Sequence, residues 1–472
     1  MTLVAAFSGF YVSLIAVYFI NSLISAFFKI QFVQHLYIYI LERLFSVSVS
    51  SIRFTRIQYA ASVVTKDSAG TVEINEYEGS DNLGNYGKLV SYVISGPLTI
   101  DLIERDIELT EDGVVLDKRL TSDEQRGFAL HHPLYLVKCG IEAIVEDSVT
   151  KHFSAAELRV WNFLGRNETY VYIKNDHWNV LRILWFIGFI FRYAIFFPCK
   201  LFTFFVSLWL TWIVGYLGRN CPISTFQKWL LGPGLQKVVR LNLCPFSSVI
   251  RFHNLDNRPK PNTICVANHT TPFDWCVLAS DVTYAVVGQK HSGFFGLVER
   301  IISAAVPAVW FDREEVLDRQ LTANKLKLHV ACPNAEPLLI FPEGTCINNT
   351  SVMKFKKGCF EVGAPIHPVA IKYNPLFADC FWNSSRDSLL KYTFKIMTSW
   401  AMVVDVWYLP PTRMRADEDG IEFARRVQQS IAHCGGMMNI NWDGELKRRR
   451  PKDTLKLAQQ RFISQYLIRP DT

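Results

Sequence analysis

ICVANHTTPFD (residues 264–274) runs from four apolar, strand-forming residues through a polar loop into a helix start. Thr271 is an N-cap type, and Pro272 suits the first helical position because its fixed φ is already helical. Asp274 then falls in the first turn. A short run that is apolar throughout suits a strand buried on both faces, and a strand feeding a helix is the repeating step of an α/β domain. The step recurs in TYAVVG (283–288), AAVPAVWF (304–311) and PLLIF (337–341), with Arg313–Val330 suited to a helix between them. Glu422–Ala432 has amphipathic helical spacing. The pattern predicts an α/β domain over residues 240–440, a central sheet flanked by helices.

Three groups of chemistry-bearing residues follow these apolar runs. His269 lies on the loop and Asp274 in the first helical turn. Five residues apart on a continuous helix they would point away from each other, but across a loop-to-helix junction they can meet. A carboxylate that fixes the tautomer of an imidazole leaves the other ring nitrogen to take a proton from a hydroxyl. The alternative is ordinary helix-start electrostatics for Asp274 and a hydrogen-bonding loop histidine. In FPEGTC (341–346), Gly344 permits close backbone approach, and Glu343 and Thr345 can bind hydroxyl or phosphate oxygens. Lys354, Lys356 and Lys357 follow, either as a phosphate-holding group or as a solvated basic face. Arg313, in WFDR (310–313), can grip a phosphate through two N–H groups or pair with Glu314 or Glu315. In open α/β sheets ligands gather beyond the strand ends, which favours a joint role for the three groups. No G-x-S-x-G, Walker A loop or post-strand G-x-G-x-x-G occurs, which disfavours a serine hydrolase, a P-loop NTPase and a dinucleotide enzyme.

Working outward, the chain turns apolar. Residues 2–28 carry no charged side chain, enough for a membrane-spanning helix of roughly 20 residues. A cleaved signal peptide is the alternative, but no basic residues precede the run. Lys29, Arg43, Arg53 and Arg56 follow it and mark that flank as cytosolic. Residues 30–48 read either as an interfacial amphipathic helix or as a buried one, and 1–60 together form an anchoring segment. Residues 183–218 are interrupted only by Arg192 and Lys200, with Pro198 between them, and read as a helical hairpin within 178–220. Residues 61–177 form a soluble module whose role the sequence leaves open, and 441–472 a basic tail containing Lys447-Arg448-Arg449-Arg450. Hydrophobic residues make up 50% of the 472 and charged residues only 20%, which excludes a disordered or coiled-coil chain. A net charge of +7 suits an anionic membrane surface or phosphorylated substrates and is too dispersed for nucleic acid. The 11 cysteines form no C-x-x-C pair, so they read as thiols in a reducing compartment, with no metal site. Sequons at Asn167, Asn268, Asn349 and Asn383 read as chance matches.

These strings resemble the glycerolipid acyltransferase superfamily. NHTTPFD looks like its H-x4-D block, Arg313 in VWFDR its second, FPEGT its third and Pro368 in IHPVAIKY its fourth. The resemblance covers about residues 240–455 and is closest to the type 3/4 glycerol-3-phosphate acyltransferases of the endoplasmic reticulum. The first block reads TTPF where that family commonly has TSPI, and Cys346 stands where the phosphatidic-acid-forming branch often has Arg. The resemblance implies an acyl-CoA donor, glycerol 3-phosphate as acceptor and 1-acyl-glycerol 3-phosphate as product. It implies His269 as general base oriented by Asp274, with glycerol 3-phosphate held by Arg313, Glu343, Gly344 and Thr345, and CoA phosphates met by the three lysines. It also implies no metal or prosthetic group, and a catalytic domain on the cytosolic face of the endoplasmic reticulum membrane. An acyltransferase using a lysophospholipid acceptor and a non-catalytic membrane scaffold on the same fold are the rival readings.

Overall fold

The computed structural model describes residues 2–45, 178–289, 308–311, 316–384 and 386–440, with a few single positions between 296 and 306. The chain divides into two compact units, and the described residues belong to the one built from 1–55 and 155–445. The 61–177 module, the 441–472 tail and Arg313 lie outside the described residues.

Seven strands form one sheet in the order β1-β8-β7-β2-β5-β3-β4. They are β1 (Val249–His253), β2 (Ile264–Ala267), β3 (Ala285–Gln289), β4 (Ala308–Phe311), β5 (Leu338–Ile340), β7 (Ile366–Tyr373) and β8 (Val403–Tyr408). All neighbours pair parallel except β7 with β8. β6 (Ser351–Val352) pairs separately with β9 (Met438–Asn439). The central strand β2 is wholly buried, and its side chains alternate. Cys265 and Ala267 enter one core with Val369, Ile371 and Val404, while Ile264 and Val266 enter another with Leu338, Ile366, Phe423 and Val427. Each such fully buried aliphatic side chain contributes roughly 1.5–3 kcal/mol.

The apolar runs anticipated β2, β3, β4 and β5; β1, β7 and β8 emerge only in three dimensions. β7 hides behind Pro368, which lacks the N–H a central strand needs. The Pro368 carbonyl accepts from Leu409 N at 3.0 Å, one residue past the end of β8, so the missing N–H falls where no ladder partner is required. The last helix, Gly420–Cys434, carries a capping box: Asp419 accepts from Ile421 N and Glu422 N, and Glu422 reaches back. It contains the expected span and extends it at both ends.

The N-terminal side is helical: α1 (Thr2–Phe28), α2 (32–45), α3 (Trp178–Ile190) and α4 (Phe197–Asn220). α2 buries one side and exposes the other. Ile38, Leu41 and Phe45 pack against Phe377, Trp400 and Val403, while Phe32, Leu36 and Leu44 stay exposed. The expected hairpin at 178–220 does not form. α3 passes through a π-helical turn, Phe191–Phe196, into α4 with helical backbone at each junction. Pro198 opens no turn, because it sits near the start of α4 and the carbonyl four residues back, on Ala194, accepts from the Tyr11 hydroxyl at 2.9 Å. Arg192 and Lys200 do not separate two arms. They turn inward, Arg192 to the Thr398 carbonyl at 3.2 Å and Lys200 to those of Met397 and Ser399 at 3.1 Å each. α1 and the stretch Trp185–Asn220 are each long and apolar enough to cross a membrane.

Two of the sequons are closed by structure: the Asn268 side chain pairs with both backbone groups of Ile371, and that of Asn349 bonds Thr270, Ile371 and Tyr373. The ten described cysteines are free thiols.

Candidate active site

β2 delivers His269 two residues beyond its end, and β5, its parallel neighbour, delivers Phe341–Cys346 at the same edge. The next helix, α5 (Asp274–Ala279), begins at Asp274 itself, later than the Thr271–Pro272 start expected. Thr271 to Asp274 is a tight turn, closed by Asp274 N on Thr271 O at 3.1 Å and by Phe273 N on Thr271 Oγ1 at 3.3 Å. That turn swings the Asp274 carboxylate back over its own loop.

The carboxylate is completely buried and fully engaged. Its Oδ2 meets His269 Nδ1 at 2.9 Å and accepts from Thr270 N at 2.7 Å and Thr271 N at 3.0 Å. Its Oδ1 accepts from the Tyr373 hydroxyl at 2.5 Å. An acceptor-only carboxylate opposite Nδ1 puts the Nδ1 proton on the imidazole and leaves Nε2 as the basic nitrogen. The ring stacks on Phe341, centroids 4.3 Å apart, and a fifth of the side chain remains exposed. Burial disfavours the charged ring, but Cys346 and then Asp274 outweigh it, so His269 titrates above its ordinary value.

Glu343 takes a different place from the one expected. It is 1% exposed, and both oxygens are engaged by backbone: Oε2 accepts from His269 N at 2.7 Å and Oε1 from Met353 N at 2.8 Å. Its carboxylate therefore ties the histidine loop to the 343–353 loop. Burial pushes it up to about 8, against the pull of those two N–H groups. Ile347 N on His269 O, 2.9 Å, completes the tie. Gly344 adopts φ +66°, the left-handed region that favours glycine, and its N–H closes a turn onto Phe341 O at 3.1 Å. Thr345 and Cys346 follow directly, Cys346 buried against the His269 ring.

Lys354 and Lys356 are exposed and alternate with buried Met353 and Phe355. Lys356 N bonds Pro342 O at 3.1 Å, so this segment runs beside the FPEGT turn. Lys357 is occupied by Glu361 at 2.8 Å. β4 runs parallel to β3 and ends at Phe311, two residues short of Arg313. Among the described residues no group of three His, Cys, Asp or Glu side chains could hold a metal ion.

Sequence reasoning missed the supports. Tyr373 reaches Asp274 from β7, Asn349 bonds Thr270 Oγ1 at 2.9 Å, and Tyr392 bonds Thr271 Oγ1 at 2.6 Å and Cys380 O at 2.6 Å. Tyr373 and Tyr392 lie about a hundred residues or more along the chain from their partners, so no local pattern signals them.

The Acyltransferase family profile matches residues 249–372, which contain this site. The chain is 44% identical over 382 residues to glycerol-3-phosphate acyltransferase 3 of Rattus norvegicus, covering 80% of each chain. It is 43% identical over 381 residues to glycerol-3-phosphate acyltransferase 4 of Homo sapiens, covering 79% of this chain and 82% of the relative. Among solved structures, a 1-acyl-sn-glycerophosphate acyltransferase from Thermotoga maritima aligns at 19% identity with a TM-score of 0.39, covering 57% of this chain and 98% of that one.

Proposed function

This chain belongs to the family of glycerol-3-phosphate acyltransferases 3 and 4, and from that premise we propose how it works: acyl-CoA acylates the sn-1 hydroxyl of glycerol 3-phosphate, giving 1-acyl-glycerol 3-phosphate and free CoA. The observation that carries the mechanism is the His269 Nδ1–Asp274 Oδ2 contact at 2.9 Å inside a loop bonded on all sides. With Nδ1 protonated, Nε2 takes the proton of the acceptor hydroxyl as its oxygen attacks the thioester carbonyl. The tetrahedral intermediate expels the CoA thiolate, and the imidazolium returns the proton to sulfur. No acyl-enzyme forms, and no metal or prosthetic group takes part.

The phosphate of the acceptor is assigned to Arg313, and its contacts with backbone and hydroxyl to Gly344 and Thr345. CoA phosphates are assigned to the exposed Lys354 and Lys356, with Lys357 available only on leaving Glu361. Glu343 acts by positioning the loop. The protein works at the endoplasmic reticulum membrane with its catalytic domain toward the cytosol, where acyl-CoA is supplied and where a bilayer can accept the product.

His269→Ala in the full-length chain tests the scheme. Acyl transfer from acyl-CoA to glycerol 3-phosphate should fall by about 10²–10⁴-fold with folding preserved. Near-normal turnover in the variant would exclude His269 as the base. Supplying a lysophospholipid in place of glycerol 3-phosphate checks the acceptor, and faster turnover on it would exclude the acceptor assignment.

A further inference from the structure

The two oxygens of Asp274 keep unequal company. Oδ2 serves His269 Nδ1, Thr270 N and Thr271 N, all on its own loop. Among the described residues only the Tyr373 hydroxyl bonds Oδ1, at 2.5 Å. The Asp274 side chain has no exposed surface, so without that hydroxyl Oδ1 would be a buried, charged acceptor with no donor.

The register of the sheet puts Tyr373 there. β7 pairs with β2 as far as Val369 beside Ala267, where β2 ends and the chain turns off into the histidine loop. β7 runs on to Tyr373. The Asn268 side chain prolongs the ladder by bonding both backbone groups of Ile371. Tyr373 thus overhangs the loop from a fixed post. Its N–H donates to Asn349 Oδ1 at 2.6 Å, and it stands in register with Val404 of β8. Its ring belongs to the core that also takes in Ala378, Cys380 and Tyr392.

The direction of the bond follows from the groups. An ionised carboxylate only accepts, so the phenol donates. Burial, and then the charge of Asp274, push the phenol well above its ordinary value and keep its proton in place. Tyr373 is 3% exposed while a fifth of the His269 side chain is open, so the hydroxyl serves the carboxylate and not the substrate.

We propose that Tyr373 is a positioning residue that sets the pH at which His269 becomes a base, by drawing charge onto the far oxygen of Asp274. A carboxylate that shares its charge with a strong donor holds an imidazolium less tightly. Without the donor the charge gathers at Oδ2, the imidazolium gains, and His269 stays protonated to higher pH. The other titratable groups around the pair act differently. Cys346 faces the ring and raises its titration, and Glu343 bonds His269 N. Cys276 on the same helix, Cys380, and Tyr392 on the helix Leu389–Met397 stand near Asp274. The Tyr392 hydroxyl goes to Thr271 Oγ1 and Cys380 O, so it supports the same loop without touching the carboxylate. The inference rests on the base role proposed for His269.

The test compares the full-length chain with Tyr373→Phe and Tyr392→Phe in detergent. Deuterium exchange at His269 Cε1, followed by peptide mass spectrometry across pH, reads the imidazole titration whether or not the protein is active. A kcat/KM profile for acyl transfer to glycerol 3-phosphate is taken over the same range. Tyr373→Phe should raise the exchange midpoint by roughly half a pH unit or more, and the acid limb of the profile should move with it. Tyr392→Phe should leave the midpoint in place. A midpoint that stays or falls in Tyr373→Phe, or that rises equally in Tyr392→Phe, overturns the proposal. A midpoint that rises while the acid limb stays put upholds the tuning and removes the base role of His269 instead. If Tyr373→Phe fails to fold, 3-fluorotyrosine in place of Tyr373 decides. Its more acidic phenol is a stronger donor and should lower the midpoint, and an unmoved or raised midpoint overturns the proposal.

Discussion

His269 is held by its backbone as much as by its side chain. Its N–H goes to Glu343, its carbonyl accepts from Ile347, and Nδ1 faces a carboxylate that three further donors hold in place. A base of this kind works only when neutral. Because its pKa is raised, the acid limb of kcat/KM should lie above the ordinary histidine value of 6.5, with activity lost as pH falls through it. Cys346 is the larger of the two raising influences, so Cys346→Ala should move that limb to lower pH while much of the rate at high pH survives. A pH–rate profile of both proteins checks this, and an unmoved limb would separate Cys346 from the titration. Glu343→Gln keeps the shape but offers one acceptor oxygen to two backbone donors. It should cost about 1–3 kcal/mol of stability, read as a lower melting temperature, and slow turnover with little change in acceptor KM. A raised acceptor KM at unchanged kcat would instead mean that Glu343 touches the substrate.

At the scale of elements, the helix Leu389–Met397 links the apolar stretch Trp185–Asn220 to the site. Its C-terminal carbonyl and the turn after it are bonded by Lys200 and Arg192, and its Tyr392 bonds Thr271 on the histidine loop. Lys200 is 1% exposed, so Lys200→Met keeps the volume but orphans two buried carbonyls. The expected loss is about 1–3 kcal/mol, visible in a detergent melt, with a fall in acyl transfer as the Tyr392 support loosens. An unchanged melt would show that water replaces the ammonium. The lone histidine loop would not hold this geometry; the hydroxyls of Tyr373 and Tyr392 come to it from two other elements.

For the whole molecule, the parallel strands β2, β5, β3 and β4 bring their C-terminal ends to one edge, so each successive strand end adds a loop to the same rim. That rim sits in the unit that also carries the apolar helices. On the orientation proposed above, the catalytic domain is open to the cytosol. Protease added to sealed microsomes should degrade residues 240–440 without detergent, and protection would contradict both the orientation and its link to the acyl-CoA supply.

Sequence alone settled what depends on near neighbours. Apolar runs ending at Ala267 and Ile340 marked the inner strands, and the amphipathic spacing of Glu422–Ala432 marked the last helix. His269 and Asp274 were legible as a pair because only a short loop separates them. The tertiary structure decided everything that depends on distant partners. Glu343 looked like a substrate ligand until the His269 and Met353 N–H groups claimed both its oxygens. β7 was hidden by Pro368 until the end of β8 removed the need for its N–H. Arg192, Pro198 and Lys200 read as a hairpin turn until Tyr11 and residues 397–399 satisfied the groups that would otherwise have broken the helix. In each case the local signal was a polar group or a missing donor, and its consequence was set by whichever part of the chain, often a hundred residues or more away, completed the hydrogen bond.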